Sequence, residues 1–196
     1  MSTLELKELS HPSGEVIKIA SGKTLDLKSQ GNVTMPSGSV LQVVNFISTA
    51  KTSQSASTTD TMVSDITKSI TPLAANSKFL ITIRWFGEAA TAWNIIFNIH
   101  MDGTRVNTNG GTAFYTGLAT LASAFGSGAD DDSTPNSANF STLVTTSAPA
   151  GTALVFKLVA SSSTGYTIWT NRVFGNAGGS GYENFTSEII ITEIAQ

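Results

Sequence analysis

An eight-residue repeat at the start of the chain constrains its fold more than any other feature of the sequence. From Leu9 the chain divides into the octads LSHPSGEV, IKIASGKT, LDLKSQGN and VTMPSGSV, and LQVVNFIS follows. The first position is always aliphatic, the third is apolar in all but the first octad, and the fifth is serine in the four repeats. Each octad is therefore predicted to be a short strand and a turn, in which a Ser-Gly pair supplies the positive φ that redirects the chain.

A single copy of this repeat, residues 9–40, has almost no core of its own. Its 32 residues fall below the size at which a chain usually folds alone, and the sequence holds no cysteine for a disulfide. We therefore expect burial to come from other copies, in a parallel homotrimer whose aliphatic positions face a shared axis as a thin β-shaft. The alternative is that the octads are ordinary edge hairpins of the domain that follows.

The composition excludes several classes of partner. Charged residues make up only 13% of the chain and the net charge is −3, so a row of phosphates or an anionic membrane surface would find little to bind. The sequence therefore predicts no nucleic-acid partner. The N-terminus lacks a positively charged region ahead of an apolar run, and no apolar run approaches the roughly 18 residues needed to cross a bilayer, so we expect neither a secretory signal nor membrane insertion.

Residues 41–196 are predicted to form an antiparallel β-sandwich. Apolar residues recur at every second position in Lys78–Phe86 and Trp93–Met101, as in a half-buried strand. Asp102-Gly103, directly after the second segment, is a strong hairpin signal. Ten strands are expected, within 39–48, 61–71, 78–86, 93–101, 104–107, 112–120, 138–147, 152–160, 166–174 and 183–194. Short strands without a helix favour two sheets packed face to face, with Greek-key or jelly-roll connections.

Strict alternation of strand direction assigns the loops to the two ends of this sandwich. The end far from the shaft would hold 49–60, 88–92, 108–111, 148–151 and 175–182. The near end would hold 72–77, 102–103, 121–137 and 161–165. One missed strand would invert part of this assignment.

The octads IKIASGKT, LDLKSQGN and VTMPSGSV that lead into LQVV resemble the repeat-to-head junction of tail-fibre and virion-fibre proteins of tailed phages. The head resembles a pattern common in the same proteins, in segments Ser69-Ile-Thr-Pro72, Ser77–Ile83, His100–Val106 and Ile190–Ile194. Such heads resemble the trimeric jelly rolls of the C1q and tumour-necrosis-factor families. These motifs mark strands and a turn, so the resemblance assigns no binding residue.

The resemblance implies a homotrimeric fibre tip that is assembled in the host cytoplasm and binds a host surface. Residues 1–8 would attach it to other virion proteins, residues 9–40 would form the shaft, and residues 41–196 would form a jelly-roll head. The chain is shorter than a full-length tail fibre. It is therefore expected to be a small tip, or a fibre fixed to the capsid or collar.

Residues suited to catalysis are scarce. His11 lies in the repeat and His100 lies beside a tight turn, and neither accompanies a nucleophilic serine motif. Glu88 and Asp102 flank the two clearest strands, but the direction count places them at opposite ends, unlike the paired carboxylates of a glycosidase. We expect no enzymatic activity, no cofactor and no metal site, and leave open an ion shared on the trimer axis.

Binding of a host-surface glycan or protein is the expected function. Aromatic faces can stack on sugars, and short polar side chains can hydrogen-bond their hydroxyls. The candidate residues lie on or beside the predicted loops: Trp93, Asn107, Asn109, Arg172, Asn176 and Tyr182. Arg172 could pair with an acidic sugar or a phosphate.

Two alternatives to a receptor-binding tip stay open. A capsid or collar fibre, or a decoration protein, would have the same fold and no specific receptor. A glycan depolymerase would need an acid such as Glu88 for cleavage. Adsorption to whole cells separates the first alternative from the tip, and release of sugars separates the second.

Overall fold

The fold is that of a computed structural model, which describes residues 20–24, 35–90, 95–107, 116–121, 135–175 and 183–196. The chain forms two compact units, Met1–Thr34 and Met35–Gln196. The predicted attachment segment 1–8 lies outside the described residues. So does most of the predicted shaft.

Two turns of the octad repeat are described, and they are alike. The N–H of Lys23 donates to the carbonyl oxygen of Ala20 at 3.1 Å, around Gly22 at φ +73°. Two octads later the N–H of Ser39 closes the same kind of turn at 3.1 Å, around Gly38 at φ +87°. A positive φ at the third residue of a four-residue turn favours glycine. The predicted Ser-Gly turn is confirmed at both positions.

Eleven strands and no helix occur within the described residues. The strands are β1 Val40–Ser48, β2 Thr52–Ala56, β3 Thr61–Ile70, β4 Lys78–Ala89, β5 Ile96–Met101, β6 Thr104–Arg105, β7 Ala119–Thr120, β8 Asn136–Thr145, β9 Leu154–Ser161, β10 Tyr166–Thr170 and β11 Ser187–Ile194. Sheet 1 has the order β1–β11–β4–β10–β2, with β8 also paired with β4. Sheet 2 has the order β3–β9–β5–β6, with β7 also paired with β5. All these pairs are antiparallel, so the prediction of an all-β, antiparallel fold is confirmed.

The core lies between the two sheets. Phe79 of sheet 1 packs against Phe156 of sheet 2 with ring centroids 5.7 Å apart, and Trp85 packs against Phe97 at 5.1 Å. All four side chains are fully buried. Alternate side chains of a strand point to opposite faces, so the apolar face predicted for 78–86 is the core face of β4.

The hairpin predicted at Asp102-Gly103 is confirmed. Asp102 has φ +50° and Gly103 has φ +87°, as the two central residues of a type I′ turn require. The Asp102 carboxylate also accepts a hydrogen bond from the N–H of Val155 at 2.8 Å. This acid therefore anchors the hairpin to the start of β9.

Strand β2 lies where the sequence predicts a loop, at 49–60. Its sequence TSQSA has no apolar alternation, and it is held by backbone pairing with β10 from Thr52↔Thr170 to Ala56↔Tyr166. The prediction is wrong because ladder hydrogen bonds can be made by any residue except proline. A strand stabilised by them leaves no apolar pattern to read.

The predicted assignment of loops to the two ends is wrong in part, because some successive strands keep one direction. Strands β6 and β7 both run antiparallel to β5, and β10 and β11 both run antiparallel to β4. The connections 72–77 and 102–103 lie at the end where β1 begins, as predicted, but 148–151 lies there too. The opposite end holds 162–165 and the points where β7 ends and β8 begins.

Candidate functional site

Two strands, β10 and β11, lie one after the other along the same side of β4, and a connecting segment separates them. Strand β10 pairs with the end of β4, and β11 pairs with its beginning. Residues 171–186 separate the two and are named the excursion here; 171–175 and 183–186 are described. The predicted loop 175–182 belongs to this excursion.

The base of the excursion is fixed by Asn171, which is fully buried and has φ +62°. Its Nδ2 donates to the carbonyl oxygen and Oγ of Ser48 at 3.0 and 3.1 Å, and to the carbonyl oxygen of Ala50 at 3.0 Å. Its own carbonyl oxygen accepts from the N–H of Phe185 at 3.0 Å, on the returning arm. Asparagine is one of the few residues that adopt the left-handed region readily, so one side chain supplies both the bend and the anchor.

The outgoing arm of the excursion covers one end of the outer face of sheet 1. The rings of Phe174 and Trp169 pack together with their centroids 4.8 Å apart, and the backbone N–H of Phe174 donates to the Glu88 carboxylate at 2.5 Å. Glu88 is only 1% exposed. The acid weighed above for glycan cleavage is therefore a buried acceptor for the backbone of the excursion.

The returning arm borders an open depression of about 530 Å³ on the same face. The depression is lined by Arg84, Phe86, Asn184, Phe185 and Thr186. The rings of Phe86 and Phe185 are stacked, with centroids 6.0 Å apart and 26° between their planes. They give the depression an aromatic floor, and Asn184 and Thr186 add exposed polar groups.

Arg84 supplies the positive charge of the depression. Its guanidinium lies 6.0 Å from the centroid of the Phe86 ring, and its Nη2 lies 3.1 Å from Oε2 of Glu188. The Arg84 side chain is 50% exposed and that of Glu188 is 15% exposed, so the guanidinium keeps an accessible side to which a ligand can bind. Aromatic rings, an amide, a hydroxyl and a guanidinium together can stack on a sugar and bind its hydroxyl or carboxylate groups.

A second polar cluster lies on sheet 2. The Asp60 carboxylate accepts two hydrogen bonds from Arg105, and its Oδ2 lies 2.6 Å from Nε2 of His100. Burial alone would raise the pKa of Asp60, but the hydrogen bonds and charges of Arg105 and His100 outweigh burial and hold that pKa below its ordinary value. Both carboxylate oxygens are engaged, so the cluster ties residue 60 to β5 and β6.

Asn107 is one of two predicted receptor-binding residues that the structure describes. It is exposed, with φ +51°. Its Nδ2 donates to Oγ1 of Thr142 at 2.5 Å and to the carbonyl oxygen of Leu143 at 2.8 Å. The side chain therefore holds the end of the hairpin against β8, away from the depression.

Arg172 is the second described candidate, and it is 9% exposed. Its Nη1 donates to the carbonyl oxygen of Phe174 at 3.3 Å, within the outgoing arm. Its backbone forms a bridge with Asn184, which brings it beside the depression. The remaining four candidates lie outside the described residues: Trp93, Asn109, Asn176 and Tyr182.

The lining of the depression was missing from the predicted set. Arg84 and Phe86 are alternate outward residues of β4, and an aromatic ring beside a charged residue on the outward face of a period-two strand is the signal that could have found them. Nothing local shows that 184–186 returns to this strand. That proximity depends on the pairing of β11 with β4, more than 100 residues away in the chain.

Among the described residues, no group of three or more His, Asp or Glu side chains could hold a metal ion. In the same part of the chain, no helix is long and apolar enough to cross a membrane. No protein-family model matches the sequence, and a search of curated proteins gives no significant match.

Proposed function

We propose that this chain is a phage virion structural protein, the trimeric tip of a tail fibre, whose head binds a host cell-surface receptor. A glycan is the favoured class of receptor. Residues 1–8 attach the tip to other virion proteins, and residues 9–40 form its shaft. The protein works by binding and catalyses no reaction.

The order of the strands supports a jelly-roll head. From β2 to β10 the chain passes repeatedly from one sheet to the other: β2 belongs to sheet 1, β3 to sheet 2, β4 to sheet 1, β5 to β7 to sheet 2, β8 to sheet 1, β9 to sheet 2 and β10 to sheet 1. The connections β6–β7 and β10–β11 stay within one sheet. The first strand pairs with the last, β3 pairs with β9, and β4 pairs with β8. Nested pairs of this kind are those of a long hairpin rolled into two sheets, as in a jelly roll.

The depression beside the excursion is the observation that carries receptor binding. Its aromatic floor and its exposed Arg84 offer a sugar both a stacking surface and a charged donor. Arg84 takes the role that the sequence suggested for Arg172, because Arg172 donates to main-chain carbonyl oxygens. Three copies on one tip, and several tips on one particle, would multiply the affinity of a shallow site.

Binding to a printed array of bacterial lipopolysaccharide and capsule oligosaccharides tests this proposal, with adsorption to bacterial cells measured in parallel. Thr186→Trp fills the depression from an exposed position, and Arg84→Gln removes its charge. Thr152→Trp and Lys51→Gln make the same changes at exposed positions elsewhere. We expect the first pair to reduce binding at least tenfold and the second pair to leave it unchanged.

The outcomes separate the classes of function. Binding that is equal in all four variants would overturn the depression as the receptor site. Adsorption to cells without binding to any glycan would assign a protein receptor, against the favoured class. A wild-type protein that binds neither cells nor glycans would overturn the receptor-binding tip in favour of a capsid or collar fibre, and release of free sugars would overturn the absence of catalysis.

A further inference from the structure

A second aromatic pair lies beside the depression on the outer face of sheet 1. Oγ1 of Thr170 accepts a hydrogen bond from the indole N–H of the core residue Trp85 at 3.0 Å, so Thr170 points inward and its neighbour Trp169 points outward. Trp169 lies opposite Glu88, and Phe86 is the outward residue two places before Glu88 on β4. Trp169 and Phe86 are therefore diagonal neighbours, and such positions lie about 7–8 Å apart in an antiparallel sheet.

Phe174 is the exposed member of this second pair. Its ring packs on the Trp169 ring with the centroids 4.8 Å apart. Trp169 is only 8% exposed, whereas Phe174 is 44% exposed. An exposed aromatic ring can stack on the apolar face of a sugar, as can the aromatic floor of the depression. The outer face of sheet 1 therefore presents two aromatic surfaces next to each other, one inside the depression and one beside it.

Two buried charged side chains hold the backbone of Phe174. Its N–H donates to the Glu88 carboxylate, and its carbonyl oxygen accepts a hydrogen bond from Nη1 of Arg172 at 3.3 Å. Glu88 is 1% exposed and Arg172 is 9% exposed. Taking a charged group out of water costs free energy that hydrogen bonds must offset. Two residues that are costly to bury therefore help to fix the position of one exposed ring.

A fixed ring is better suited to binding than a mobile one. A side chain that is already ordered loses little conformational entropy when a ligand contacts it. Exposed apolar residues that are scattered singly are common on soluble proteins and need no explanation. Phe174 differs from these, because its backbone is anchored on both sides and because Phe86 and Phe185 provide another aromatic surface beside it.

We infer that Phe174 is a second sugar-binding subsite, which stacks on the sugar linked to the one bound in the depression. This inference rests on the proposed glycan receptor and adds that the receptor is an oligosaccharide, in which two adjacent sugars each present an apolar face. Positions about 7–8 Å apart are within reach of one short chain. Two weak contacts made by the same chain reinforce each other, so affinity rises from a single sugar to a disaccharide.

Titration with glycans of increasing length tests the subsite. The probes are single sugars, disaccharides and longer fragments, which are released by partial acid hydrolysis from the array glycans that the wild-type protein binds. Phe174→Ala removes the ring, and Phe174→Tyr keeps it. Leu73→Ala is the matched control, because Leu73 is 62% exposed and lies elsewhere, in the connection between β3 and β4.

We expect the wild-type protein to bind disaccharides and longer fragments more tightly than single sugars. In Phe174→Ala, this gain in affinity should fall by about three- to tenfold, while Phe174→Tyr and Leu73→Ala should retain it. Equal gains in all variants, or a wild type that binds long fragments no better than single sugars, would overturn the second subsite and leave the depression standing. A wild type that binds no sugar would overturn the proposed glycan receptor as well.

A change in the packing around Trp169 does not end the test. Phe174→Leu keeps an apolar cover over Trp169 and removes the aromatic ring, and near-ultraviolet circular dichroism shows whether each variant keeps its packed core. A folded Phe174→Leu variant that loses the gain in affinity supports the inference, and one that keeps the gain overturns it. Light scattering behind a sizing column gives the molar mass of each variant. A Phe174 variant whose mass falls below that of the wild type would assign the ring to a contact between subunits, which also overturns the subsite.

Discussion

The hydroxyl of Ser187 donates to the side-chain oxygen of Asn171 at 2.7 Å, and both residues are fully buried. The same Oγ accepts a hydrogen bond from the N–H of Phe86 at 3.0 Å. One hydroxyl thus joins the base of the excursion to the strand that carries Arg84 and Phe86. The depression is assembled by this interior contact, although its lining is exposed.

Loss of the Asn171 amide should loosen the excursion. Asn171→Gly keeps the positive φ and removes the side-chain hydrogen bonds, leaving buried partners such as Ser48 and Ser187 with fewer contacts. We expect the free energy of unfolding to fall by about 1–3 kcal/mol. Asn171→Ala adds backbone strain of about 1 kcal/mol or more.

Hydrogen exchange locates the Asn171 effect within the chain. The N–H of Phe185, which donates to the carbonyl oxygen of Asn171, should exchange faster in Asn171→Gly, while the amides of the β3–β9 ladder change only with global stability. Equal protection at Phe185 in the variant and the wild type would show that the anchor is unimportant.

Gly87 should tolerate no side chain. A Cβ at this position would lie 1.9 Å from the carbonyl oxygen of Trp169 and 2.7 Å from the Trp85 ring. Gly87→Ala should therefore lower the free energy of unfolding by about 1–3 kcal/mol through overpacking, and thermal unfolding measures it. Gly165→Ala is the control, since its Cβ would meet only the Ser55 hydroxyl at 3.2 Å, which can rotate away. Equal melting temperatures in the two variants would contradict this account.

Local patterns predicted the parts of the fold that local physics determines. The alternation in 78–86 indicates a strand because one face must be buried, and Asp102-Gly103 indicates a hairpin because few other residues take its backbone angles. Both are confirmed. Strand β2 could not be found in the same way, since its stability comes from backbone pairing with β10, and Thr52 and Thr170 are far apart in sequence.

The candidate site was predictable only in its position along the chain. Residues 175–182 stand out as a glycine-rich loop, and they belong to the excursion that borders the depression. The floor of the depression comes from Phe86 of β4, and the excursion approaches it because β10 and β11 lie along one side of that strand. The placement of two strands along one side of β4 is a property of sheet pairing, which a single sequence does not display.

Acid should weaken the fold through Glu193, which is fully buried. Its carboxylate accepts hydrogen bonds from Oγ of Ser77 and Nε2 of Gln42, each at 2.6 Å, and from two backbone N–H groups. Burial alone would raise the pKa of Glu193, but these donors outweigh burial and hold the pKa below its ordinary value of 4.5.

A carboxyl group whose pKa is lower in the folded protein than in the unfolded chain stabilises the fold at pH values above its pKa in the unfolded chain. This stabilisation is lost as the pH falls through its pKa in the folded protein. We expect the free energy of unfolding, measured by urea titration, to decrease as the pH falls below 4.5. Glu193→Gln should flatten this decrease and cost about 1.5–3 kcal/mol at pH 7. Glu188→Gln on the same strand should cost less than about 1 kcal/mol. A slope below pH 4.5 that Glu193→Gln leaves unchanged would refute the role of Glu193.

The Asp60–Arg105 pair should behave as one unit. Their side chains are only 10% and 16% exposed, so Arg105→Met leaves a nearly buried carboxylate with His100 as its remaining side-chain partner. We expect that variant to lose about 1.5–3 kcal/mol of unfolding free energy. The double variant Asp60→Asn, Arg105→Met removes both charges and should be more stable than the sum of the single changes implies. A double-mutant cycle by urea unfolding measures the coupling energy. A value near zero would mean that the two residues stabilise the fold independently, because only paired charges make the loss of one partner more costly than the loss of both.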